Sequence, residues 1–158
     1  MNKLVLLITL MLGELVLSAQ ERTDTISWRD FNLIIEISCF STKTIETTFD
    51  GHRLGEMRQW FYANDGLVAS SITCFLGFND SFTLPKRIQK ELDERLGNNC
   101  KQSIKIRNNG LWERYDRIII HKVTALVFYQ FVLDKDVYLF DSIMDRVKIT
   151  HENPENCA

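Results

Sequence analysis

Four cysteines, three histidines and a scatter of carboxylates are the side chains here with chemical reach. The cysteines are Cys39, Cys74, Cys100 and Cys157, and no two stand at the Cys-x-x-Cys spacing that a zinc ribbon or a thioredoxin-type redox centre requires. An even count in an exported chain points instead to disulfides, with three possible connectivities for two bridges. Cys39 and Cys74 fall on the apolar faces of two expected strands, so Cys39–Cys74 with Cys100–Cys157 is the expected pairing. Buried free thiols, which pack like small hydrophobes, are the alternative.

His52, His121 and His151 are each isolated in sequence, without the His-x-His or His-Glu-x-x-His spacing that sets two imidazoles on one face. His52 or His121 could still meet a strand carboxylate to make the base of a small hydrolase, and Glu36, Glu46 and Glu56 could form paired carboxylates if their strands are adjacent, although a solvated strand face is the commoner fate of glutamate. His151-Glu152 is a neighbouring base and carboxylate, but in what reads as a polar tail. There is no Gly-x-Ser-x-Gly, Ser70-Ser71 lies inside a strand with no histidine close by, and Gly51 to Gly55 is too short for a phosphate loop. No catalytic residue, metal site or cofactor is therefore assigned.

The aromatic residues offer different chemistry. Trp60, Phe61 and Tyr62, with Trp112 and Tyr115, lie on expected strands and form a candidate binding surface that could stack on sugars or anchor a protein. Successive strand residues face opposite ways, so Trp60 and Phe61 cannot both enter one core. Lys101, Lys105 and Arg107 make a short basic run that reads as a solvated strand face. With 19 basic against 21 acidic residues and a pI of about 5.9, the chain lacks the field that nucleic-acid binding needs.

These residues need elements to hold them. The 158 residues are 45% hydrophobic and 25% charged, which suits one packed domain and excludes disordered and collagen-like classes. Residues 1–19 read as a secretory signal: Lys3, an apolar run from Leu4 to Leu12, and small residues at Ser18 and Ala19. Residues 20–158 then form the mature domain, expected in the periplasm or outside the cell. Glu14 keeps the first apolar stretch short of a bilayer span, and Val123 to Leu133 is shorter still, so no integral span is expected after cleavage.

Alternation at Phe31, Leu33, Ile35, Ile37 and Cys39 predicts a half-buried strand. Thr44 to Phe49, Arg53 to Tyr62, and Val68 to Phe78 continue an antiparallel meander through turns at Asp50-Gly51 and Asn64-Asp65-Gly66. Pro85 opens a helix with Ile88, Leu92 and Leu96 on one face, closed at Gly97. Strands over Ser103 to Arg107, Leu111 to Ile120 and Val123 to Leu133 follow, the last central because it is apolar almost throughout. Asp134 is placed to cap a final helix with the stripe Val137, Phe140, Ile143, Met144 and Val147, and 151–158 read as a tail. The expected class is α+β: one antiparallel sheet of about six strands with two amphipathic helices packed on one face. The expected function is non-catalytic, an exported binding or accessory protein meeting a protein partner or a second copy, with the hydrolase as alternative.

Overall fold

The computed structural model describes residues 22–37, 40–49, 52–62, 69–78, 82–95, 101–120 and 122–151. In chain order the elements are β1 (Thr23–Trp28), β2 (Phe31–Glu36), β3 (Phe40–Phe49), β4 (His52–Tyr62), β5 (Ser70–Phe78), α1 (Lys86–Asp93), β6 (Lys101–Asn108), β7 (Leu111–Ile120), β8 (Val123–Val132), α2 (Val137–Arg146) and β9 (Lys148–His151). The fold is mostly β, and it corrects the expected class. Two sheets are present, not one: a three-stranded sheet ordered β1-β2-β9 and a six-stranded sheet ordered β3-β4-β5-β8-β7-β6. Every strand pair is antiparallel.

The second correction concerns the helices, which pack on opposite faces of the large sheet. Residues of β5 alternate between two separate cores. Ile72, Cys74 and Leu76 join the small sheet and α2, whereas Phe75 joins Ile88 and Leu92 of α1. In β8 the same alternation sends Ala125, Val127 and Tyr129 to the inner core and Leu126 and Phe128 to the outer one. Both strands are apolar or small at nearly every position because both of their faces are covered. A sheet dressed on one side would have shown polar alternation there.

The small sheet lays Ile26, Trp28, Phe31, Leu33 and Ile35 onto the inner face, with Phe140, Ile143 and Met144 of α2 beside them. Its two outer strands were not expected. β1 alternates Ile26 and Trp28 inward and turns into β2 at Arg29, whose φ is 52°. β9 pairs Ile149 with Leu33 and His151 with Phe31, so the expected tail begins inside a sheet. The His151 ring lies tilted against Phe31 with centroids 4.3 Å apart. The hairpin between β6 and β7 matches its turn signal, since Asn109 and Gly110 have φ of 50° and 81°, the pair of positive values of a type I′ turn.

An ion-pair seam seats α2. Its acidic side and its approach meet two residues of the basic run of β6, Lys105 bonding Asp141 and Arg107 bonding Asp134 at 2.7 Å, while Lys101 lies 3.2 Å from Asp116 of β7. Arg114 joins Asp116, Asp141 and Asp145. The run is exposed, as a solvated strand face is, and Lys105 and Arg107 also pair with α2 and its approach. Asp134 is not the helix cap; it accepts the Trp112 indole N–H at 2.6 Å, and Asp136 stands at the cap position without a side-chain cap bond.

Candidate functional site

The aromatic residues singled out by sequence are mostly spent inside the chain. Trp60 is fully buried, and its indole N–H donates to Asp24 Oδ2 at 3.1 Å, tying β4 to β1. Tyr115 is buried on the outer face, stacked on Phe128. Its hydroxyl donates to Glu113 Oε2 at 2.9 Å and accepts from Gln130 Nε2 at 2.8 Å. Burial, with the Glu113 carboxylate alongside and against the Gln130 bond, pushes the Tyr115 phenol up to about 12. Tyr62 is half-buried against Phe40 and Phe140, and Trp112 is half-buried beneath Lys105 and Arg107. Phe61 is half-buried on the face opposite Trp60, in register with Ser71.

The other sequence candidates are dispersed. Cys74 is a free thiol, sealed in the inner core; burial, reinforced by Asp24 and opposed by Arg58, raises it well above the usual thiol range. Cys39, Cys100 and Cys157 lie outside the described residues, and no disulfide occurs among the described ones. His52 starts β4 and His121 lies outside the described residues. Glu46 and Glu56 are register partners across β3 and β4, as paired carboxylates would require, but Glu56 is buried and bound to Arg53 and Arg58. Glu36 belongs to the other sheet and pairs with Arg146 at 3.2 Å. Among the described residues no group of three or more His, Cys, Asp or Glu stands together as a metal site.

A concave site does exist, on the outer face beneath α1. Its floor is a square of four residues on two paired strands: Arg117 opposite Leu126 and Ile119 opposite Thr124. Phe82 and Leu84, on the approach to α1, and Gln89 and Asp93, one turn apart on the helix, form its wall. The cleft measures about 220 Å³. Local sequence explains its shape. Pro85 starts a helix of only two turns, anchored at Ile88 and Leu92, and Thr124 is a small residue in a strand that continues with Leu126 and Phe128.

Arg117 is the unusual member: only 7% exposed, it points into the outer core. Its Nε donates to Gln102 Oε1 at 2.6 Å and its Nη2 to Asp93 Oδ1 at 2.6 Å. Gln102 is its buried register partner on β6, so the guanidinium is held from the floor. Asp93 is 47% exposed at the rim. The hydrogen bond from Arg117, helped by Gln89 and outweighing partial desolvation, holds its carboxyl below the usual carboxylate range. The site therefore presents a fixed cation and a fixed anion side by side on an apolar floor.

Sequence reasoning passed over these residues, although one cue was present. Arg117 has the same strand parity as Tyr115, so a strand that buries Tyr115 must turn this arginine inward as well. The wall residues carry no such cue, because they meet β7 and β8 only in three dimensions. Comparison with models of known families, with curated proteins and with solved structures found no match to this chain.

Proposed function

We propose that this chain is an exported, non-catalytic binding protein whose ligand site is the cleft between α1 and the outer face of the large sheet. One observation carries the reading: a concave site, apolar at Phe82, Leu84, Ile119 and Leu126, containing a nine-tenths buried arginine that is already oriented by Gln102. Apolar walls with a few placed polar groups are the usual makeup of small-molecule sites. Export is supported by the layout of residues 1–19. Among the described residues no helix is long and apolar enough to cross a membrane. The acidic balance gives nucleic acid no place in the proposal.

The test is purification of the full chain from an exporting host, followed by extraction and mass analysis of whatever small molecule it carries. A 1:1 small molecule that is lost from Ile119→Trp, which fills the cleft, is the expected outcome, on a chain beginning at Ala19 or Gln20. An Ile119→Trp protein that keeps the same bound molecule overturns the cleft assignment. A chain whose residues 1–19 remain attached overturns the export half.

A protein partner or a second copy is the second reading, and Phe131 favours it. This residue is 42% exposed with φ of 61°, an unusual backbone for a bulky side chain, in a bulge where β8 slips register against β7. Tyr138 and Leu139, at the start of α2, are also exposed. Phe131→Gly relieves the backbone while removing the side chain, so it should leave the fold intact. Light scattering of the two proteins at matched concentration checks this reading; identical masses, both monomeric, remove the homodimer.

A further inference from the structure

Resting on the cleft as the binding site, we propose that its ligand is a free α-amino acid with an apolar side chain. The argument begins with charge. Arg117 and Asp93 touch at 2.6 Å, so the site carries a positive and a negative group at one place and no net charge. A simple carboxylate drawn to Arg117 is repelled by Asp93 over nearly the same distance, and a simple amine suffers the reverse. An α-amino acid carries both charges on neighbouring atoms, and it satisfies both groups at once.

Hydrogen-bonding capacity agrees. Arg117 uses Nε and Nη2 within the chain, while Nη1 makes no hydrogen bond among the described residues. Nη1 is therefore the donor of this guanidinium that a ligand carboxylate would take. Gln89 donates its Nε2 to Asp93 at 3.1 Å, which leaves its Oε1 as an acceptor beside the Asp93 carboxylate for an ammonium. The half-exposed Asp93 needs no opening of the core to be reached.

The rest of the site suits the rest of such a molecule. Phe82, Leu84, Ile119 and Leu126 are apolar and line the same space. A cleft of about 220 Å³ suits a small molecule such as a single amino acid.

The experiment is isothermal titration of the full chain with L-phenylalanine, 3-phenylpropionate (no amine) and 2-phenylethylamine (no carboxylate). Phenylalanine should bind, with each analogue weaker by about tenfold or more, as expected for a lost charge-assisted hydrogen bond. Ile119→Trp should abolish the phenylalanine signal. Asp93→Asn, at a half-exposed position that tolerates change, should weaken phenylalanine by about tenfold and narrow or reverse its advantage over 3-phenylpropionate. Arg117→Gln removes the carboxylate partner but also breaks a buried bond, so Asp93→Asn decides if that variant fails to fold. Equal binding of phenylalanine and 3-phenylpropionate overturns the amino-acid assignment and leaves the cleft standing. So does failure of phenylalanine and leucine to bind a chain that yields an Ile119-dependent small molecule on extraction. Absence of both kinds of binding overturns the cleft reading itself.

Discussion

Gly77→Ala tests the outer core from which the cleft is built. Gly55 and Gly77 are register partners on β4 and β5, and the Phe75 ring lies over both. A Cβ on Gly77 would stand 2.6 Å from the Leu54 carbonyl oxygen, 2.6 Å from Phe75 Cζ and 2.7 Å from Gly55 Cα. Two of those three neighbours are backbone and cannot rotate away. The third belongs to a fully buried ring packed at a tilt against Phe82, 5.3 Å between centroids, and Phe82 lines the cleft. Overpacking of a tight core costs about 1–3 kcal/mol, and a contact that moves two strands as well as a ring belongs at the top of that range, about 3 kcal/mol. For a chain of this size that lowers Tm by about 6–12 °C. Gly110→Ala is the control: its φ is 81° with nothing within 4 Å of the new Cβ, so it loses only the left-handed backbone preference, about 1–2 kcal/mol. Urea unfolding of the three proteins, followed by circular dichroism, compares them at a common slope. Gly77→Ala as stable as Gly110→Ala would refute the packing argument, and with it the placement of Phe75 and Phe82.

Two further outcomes follow from the titratable groups. Asp141 is pushed up by burial, but bonds from Lys105, Tyr129 and Arg114 outweigh this and hold its carboxyl below the ordinary range. Its stabilising contribution is therefore complete above the unfolded-state value near pH 4 and is lost as pH falls through the lower folded-state value. Asp141→Asn should cost about 1.5–3 kcal/mol at neutral pH and flatten the stability curve below about pH 4, read from urea midpoints across a pH series. A variant with undiminished acid sensitivity counts against Asp141 as the group that holds α2. Cys74, sealed in the inner core with its thiol raised, should resist iodoacetamide in the native chain and react fully in denaturant, seen by peptide mass analysis. Rapid native labelling at Cys74 would contradict the covered inner face.

Local pattern was enough for most of the strands and neither sheet's boundary. The alternation of β2, the turn at Asn109-Gly110 and the central place of β8 follow from parity, turn chemistry and an unbroken apolar run, all of which act between near neighbours. β9 has only four residues, with Lys148 and Thr150 exposed, and it exists because β2 offers it an edge. β1 owes its place to Ile26 and Trp28 entering a core built largely by other strands. The two-sided helix packing was legible in part: strands apolar or small at nearly every position, as β5 and β8 are, require cover on two sides. The basic run of β6 is exposed as its pattern implies, but the pairing of Lys105 and Arg107 with Asp141 and Asp134 was not legible, since those partners lie beyond two intervening strands and come near only once α2 lies across them.

The candidate site was less legible because three inward arginines look alike in sequence and differ only in what surrounds them. Arg58 is held by Asp24, Glu56 and the Thr25 carbonyl, and Arg114 by Asp116, Asp141 and Asp145. Each clamps a separate element, β1 or α2, onto the inner face, and each is enclosed by several acceptors. Arg117 has two partners, one a neutral amide and the other a half-exposed carboxylate at the end of a two-turn helix. A clamp of that kind would be weak, because an ion pair with a partner open to solvent contributes little to stability. Burying the arginine nonetheless costs desolvation that one amide and one rim carboxylate offset poorly. Fold stability alone is a poor account of a charge kept there, on the floor of a cleft. A ligand that completes its coordination is the role we propose for it.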